Sequence, residues 1–281
     1  MVGITAKTVA AEIRRQQQLS KDIVEGQTAI STGISLTKPS DNALAWVQVS
    51  DLARAQSQQA AWTTNVSYAT NRAGNAEANL TEMNNLLTRA QELVTATRNG
   101  SLNDSSRAAF IEELKGIKES IGGLLNQKDY QGTSVFDDGQ NVVVPVSRGL
   151  NIAVVGTRQS VSEGIDVGGT PMSLDDILDQ AIAAVETGDD AALATALDSV
   201  KAGQGHVTVE LTRQGVRSDR LDVIGTRLAD VDITLTERRQ ALESTDLPTT
   251  ISMVQAKLLQ LNAAQSLYAR INQQTLFDLI S

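Results

Sequence analysis

The chain has 281 residues, with 24 Lys+Arg against 33 Asp+Glu, a formal net charge of −9. Apolar residues make up 41% but aromatics only 3%, so the core must be aliphatic and Ala-rich, the composition of long packed helices. There is no cysteine, which excludes disulfides, thiolate metal sites and thiol nucleophiles. The single histidine, His206, argues against a histidine metal cluster and a catalytic triad. No apolar run approaches the length of a membrane-spanning helix, and the first residues lack the apolar stretch of a secretory signal. The acidic balance argues against nucleic acid as a partner.

From residue 4 to 30, Ile4, Val9, Ile13, Leu19, Ile23 and Ile30 predict one helix with a narrow apolar stripe. Gly33 ends the pattern, and Pro39 disfavours helix at Lys38. Residues 31–40 therefore read as a connection, with Ser40 or Asp41 able to cap the helix that follows. From Asn42 to about Asn99 there is no proline, and apolar residues recur at three- and four-residue spacing from Leu44 to Val94. Asn99-Gly100 ends that helix, and Asn103 or Asp104 starts another, with Phe110, Leu114, Ile117 and Ile121 on one face.

From Tyr130 to Pro171 glycines cluster around β-branched runs, Val142–Val146 and Leu150–Val155, which predict a small hairpin-built insert. Ser173 and Asp176 form a capping-box signature, and Thr187-Gly188 punctuates the chain. Helical periodicity returns from Ala191 to about Leu242, although Gly203, Gly205, Gly215 and Gly225 weaken its middle. A last helix starts near Asp246 with the stripe Ile251, Val254, Leu258, Leu261 and Tyr268.

The expected fold is mainly α: an elongated rod of long antiparallel helices from both chain arms, with a small β-rich insert. Its parts are a terminal helical polymerisation domain (1–38 and 246–281), a helical rod domain (39–129 and 172–245) and the insert (130–171). Each terminal helix carries one narrow stripe, and such a helix needs a partner to be stable in water. The simplest partner for each is the other. The remaining apolar surface, including Leu276, Phe277 and Leu279, must meet further copies. The candidate subunit-interface residues are therefore Ile4, Ile13, Ile23, Ile30, Ile251, Val254, Leu258, Leu261, Tyr268, Leu276, Phe277 and Leu279.

Several motifs have plainer readings. His206 is best taken as a solvated or core-edge residue. Asp137-Asp138-Gly139 reads as a hairpin turn, lacking the alternating ligands of a calcium loop. The glycines from 164 to 169 lack the Gly-Lys-Ser/Thr of a phosphate cradle. Trp46 and Trp62 are expected to pack in a core or between subunits. No acid, base and nucleophile can be assembled, so neither an enzyme nor a cofactor is expected.

The segments Ser31-Thr32-Gly33, Pro39-Ser40-Asp41, Arg89 with Glu92 and Leu93, and Ser244-Thr245-Asp246-Leu247 resemble the flagellin superfamily in their order and distance from the termini. That resemblance implies a structural subunit of the bacterial flagellum. It further implies export through the flagellar channel and terminal helices that pack against neighbouring subunits. Two family roles stay open. The Pro-Ser-Asp loop and the ending Leu276-Phe277-Asp278-Leu279 suggest a subunit joining hook to filament, whereas Asn126–Gly132 is similar to a short flagellin. A helical surface adhesin or signalling module is a further alternative. The partners implied are copies of itself, another hook-associated protein, flagellin and an export chaperone, with no nucleic acid and no membrane insertion.

Overall fold

The computed structural model describes the backbone of residues 2–100, 103–129 and 131–277, and side chains within 9–98, 100, 103–129 and 131–270. Seven helices and two small antiparallel sheets are found among them, so the chain is mainly α with a small β-rich insert. It divides into two compact units, Met1–Gln56 with Ile233–Ser281, and Ser57–Asp232.

In the first unit, α1 (Val2–Thr32) packs against α7 (Leu247–Phe277). Gly26 faces Val254, and Asp22 meets Lys257 at 2.6 Å, so the two helices run antiparallel. Ile23 and Val254 are buried in this contact. The absence of a Cβ at Gly26 decides the approach, because a methyl there would overlap the Val254 side chain. The unit also holds the start of α2 (Ala43–Asn99) and the end of α6 (Asp190–Glu243). The first cap differs from expectation. Asn42, rather than Ser40 or Asp41, accepts the free N–H of Ala45 at 3.1 Å, because Asp41 is turned back onto the preceding loop, accepting from Thr37 and Lys38.

The second unit is built on the remainder of α2 and α6 with α3 (Asp104–Leu125) and α5 (Leu174–Thr187). Its core is aliphatic, with Leu80, Met83 and Leu87 of α2, Leu114 of α3, Ile177 and Leu178 of α5, and Val200, Val207 and Leu221 of α6. Phe136 is the one large aromatic fully buried among the described residues. Asn103 caps α3, accepting from Ser106. Ser173 and Asp176 make the reciprocal capping box of α5, which Gly188 closes in the left-handed conformation (φ 68°). Gly203 lets α6 come close to α5, where a Cβ would press on Leu174 and Ile177 at 3.3 and 3.4 Å.

The insert contains the expected hairpin, β1 (Val143–Ser147) against β2 (Leu150–Ala153), with Val144 opposite Ile152. It also contains a one-turn helix, α4 (Arg158–Ser162), and a second hairpin, β3 (Ile165–Val167) with β4 (Thr170–Met172). The two-residue turn of that hairpin is Gly168-Gly169, both at positive φ, which fits the right-handed strand twist.

Candidate functional site

The first unit buries little of what it carries. Among its described residues the buried apolar ones are Ile23, Leu36, Ala45 and Val254, while Ile13, Leu44, Val47, Ile251, Leu258 and Leu259 are exposed, Leu44 and Leu259 by more than 70%. Of the interface residues expected from sequence, Ile30, Leu261 and Tyr268 are half-buried and Ile13, Ile251 and Leu258 lie open. Ile4, Leu276, Phe277 and Leu279 fall outside the described side chains. These exposed apolar residues lie on α1, α7 and the start of α2.

The motif residues hold this unit's connections. Gly33, at φ 72°, ends α1 and donates to the Ala29 carbonyl at 2.9 Å. The chain then pairs with the α6–α7 connection. Ser35 N–H donates to the Glu243 carbonyl at 2.8 Å, Thr245 N–H donates to the Gly33 carbonyl at 2.9 Å, and Ile34 bridges Ser244. The Ser35 hydroxyl donates to the Glu243 and Ser244 carbonyls, both at 3.2 Å. Apart from the Ser35 hydroxyl, this clip is made of backbone groups, which carry no side-chain signal in the sequence. Asp246 caps α7, accepting from the Thr249 hydroxyl at 2.8 Å and the Thr249 N–H at 3.3 Å. Ser31, Thr32, Pro39 and Ser40 are exposed. Thr32, Gly33 and Ile34 line a cleft of about 410 Å³ with Gln56, Arg239 and Glu243.

Asp41 is the hub of the first loop. Partial loss of hydration opposes its ionisation, yet the Thr37 and Lys38 N–H groups and the Thr37 hydroxyl hold it below the ordinary carboxylate value. Asp22 is lowered as well, by its hydrogen bonds from Lys257 and then Gln18. Lys38 bonds Glu25 at 2.7 Å, which raises its pKa.

The second motif lies in the second unit. Arg89 joins α2 to α3 through Glu113 at 2.6 Å and holds Glu92 at 2.9 Å, with Leu93 buried beneath. The Arg89 bond lowers the Glu113 pKa. Asp137-Asp138-Gly139 corrects the sequence reading. Asp137 is not a plain turn residue but is buried, its Oδ1 2.6 Å from Arg72 Nη2 and its Oδ2 accepting the Val142 N–H at 2.7 Å. Asp138 pairs with Arg158 at the surface. His206 is half-buried, its Nε2 2.9 Å from the Ser160 carbonyl. Trp46 and Trp62 are half-buried too, and Trp62 packs against the core. Among the described residues no three acidic or histidine side chains are grouped to hold a metal ion, and no helix is long and apolar enough to cross a membrane.

Residues 5–141 match the family model of the bacterial flagellin N-terminal helical region. The chain is flagellin-like. It is 25% identical to the flagellar hook-associated protein 3 of Escherichia coli over 89% of this chain and 90% of that protein. Its fold is shared with a chain described as a flagellar hook-associated protein from Vibrio parahaemolyticus, with a TM-score of 0.63 and 22% identity, covering 72% of this chain and 99% of that one. It is also shared with the flagellar junction protein of Legionella pneumophila, with a TM-score of 0.56 and 13% identity, covering 70% and 100%. Of the flagellin-like motifs read from the sequence, Ser31–Gly33 through Arg89–Leu93 lie inside the matched region and Ser244–Leu247 lies outside it.

Proposed function

We propose that this chain is a structural subunit of the bacterial flagellum that joins hook and filament. It does so by self-association and by packing its terminal helices against neighbouring subunits. The observation that carries this reading is the imbalance among the first unit's described residues, four buried apolar residues against many exposed ones on α1 and α7. A helix pair that leaves Ile13, Ile251 and Leu258 open gains stability when neighbouring helices cover them, at about 25 cal/mol per Å² of apolar surface buried. Similarity to hook-associated protein 3 over most of both chains supports the junction in particular. The family motifs then act in subunit geometry: Ser31–Gly33 and Asp246 fix the ends of the helices that dock. On this reading the chain leaves the cell by the flagellar export route with a chaperone, and meets another hook-associated protein below and flagellin above. Residues 1–38 with 246–281 form the polymerising domain, and the insert is the outward part.

The test is electron microscopy of bacteria lacking this protein. Intact hooks without filaments, restored by the wild-type chain and not by Ile251→Asp/Leu258→Asp, is the expected result. Normal filaments in the deletion strain would overturn the reading.

A further inference from the structure

The outer face of α6 in the second unit carries a repeat that the core does not use. Val209, Arg213, Val216, Arg220, Val223 and Arg227 follow one another at alternating steps of four and three residues, and all six are exposed, Val216 by 55% and Val223 by 63%. Such spacing places them on one line along a helix, the seam position of a coiled coil. Valine exposed at this period is unusual for a helix whose opposite face already packs the core.

A second line on the same unit matches it. On α3, Glu112, Gly116, Glu119 and Gly123 occupy the same four-three-four steps and are exposed. Nothing lies within 4 Å of where a Cβ would stand at Gly116 or Gly123. Gly123 opens onto a groove of about 410 Å³ between α2 and α3. Arg220, Arg227 and Glu119 have no ion-pair partner among the described residues, and Glu112 meets only Lys115 at the surface.

Laid antiparallel, the four α3 positions meet four complementary positions of the α6 line. Val216 falls on Gly123, Arg220 on Glu119, Val223 on Gly116 and Arg227 on Glu112. The arginines and the glutamates are each seven residues apart, about 10.5 Å along a helix, so both ion pairs form together while the valines enter the gaps left by glycine. Both lines are exposed in one chain, so they satisfy each other only between chains.

We infer that the Val–Arg face of α6 docks antiparallel on the Glu–Gly face of α3 in a second copy of this chain. The contact is heterologous: each copy offers one face of each kind, so it propagates rather than closing as a two-fold dimer, which suits a ring or a tube. It lies outside the terminal helices and takes from the reading above only that the partner is another copy.

The experiment is sedimentation of the full-length chain over a concentration series at low and high salt. Association that weakens as salt rises is expected, since exposed charges are screened. Arg220→Glu/Arg227→Glu, and separately Glu112→Arg/Glu119→Arg, should each weaken it by about tenfold or more. Both pairs combined in one chain should restore it. Gly116→Leu/Gly123→Leu, which favours helix in the monomer, should abolish association without lowering its melting temperature. A wild-type chain that stays monomeric at low salt, charge-reversed chains that associate as the wild type does, or a combined variant that is not restored would each overturn the inference. None of these readouts requires a flagellum, so failure here is distinct from failure of the deletion experiment.

Discussion

Arg72 on α2 and Asp137 in the insert form an ion pair at 2.6 Å, with side chains only 6% and 1% exposed. Both residues make further hydrogen bonds. Arg72 also donates to the Ser134 carbonyl through Nε at 3.2 Å and Nη2 at 2.8 Å, and the Asp137 backbone donates to Gly156 and accepts from Arg158. One helix side chain thus fixes both ends of the loop that opens the insert.

Removing one partner leaves a buried charge without compensation. Arg72→Ala or Asp137→Ala is expected to destabilise the second unit by about 3–5 kcal/mol, whereas Arg72→Met/Asp137→Leu together should come close to the wild type. Urea unfolding of the three variants checks this. Equal losses in the single and double variants would contradict it.

Gly26 invites the opposite kind of test. In a helix interior alanine is favoured over glycine by about 1 kcal/mol, yet its methyl would overlap Val254, and overpacking typically costs about 1–3 kcal/mol. Gly26→Ala should therefore loosen α1 from α7, and Val254→Ala in the same chain should relieve it. Hydrogen exchange along α1 is the measurement, with faster exchange expected in the single variant alone.

The α5 capping box predicts a pH dependence. The Ser173 hydroxyl, then its N–H, bonds the Asp176 carboxylate and holds its pKa below the ordinary 3.8. A depressed carboxylate contributes stability above its unfolded pKa and loses it as pH falls through the folded value. Ser173→Ala should lower stability by roughly 1 kcal/mol near neutrality. The difference from wild type should shrink once the pH drops below about 3.8. Thermal melts at both pH values would show whether it does.

Leu258 separates folding from assembly. It is 38% exposed on α7, so part of its area is already covered, and Leu258→Asp should destabilise the isolated chain by no more than about 1–2 kcal/mol. Incorporation into flagella should be lost. A larger loss of stability with normal motility would place Leu258 in the folded core instead.

The sequence carried the long helices because their signals are local: the stripe of α7, Asn103 before α3, and Ser173 with Asp176 each act within one turn. The glycines of α6 misled in part, because Gly203 weakens the helical pattern while serving the packing of Leu174 and Ile177. The five-residue α4 and the three-residue β3 and β4 are too short to show a period. Asp137 looked like a turn because its partner, Arg72, stands 65 residues earlier. The same distance effect hid the clip at Ser35, whereas the helices α1 and α7 were each legible from their own apolar stripe.

That clip joins groups 208 and 209 residues apart. Closing so long a loop in an unfolded chain carries an entropy that grows with the logarithm of its length. Once Gln59 has bonded the Leu228 carbonyl at 2.7 Å and the second unit has formed, the loop still to be closed is far shorter. Closure entropy therefore favours an order of folding in which the middle of the chain comes first and the two ends follow together. A subunit cut between Ser35 and Gln59 would keep its middle and lose its ends.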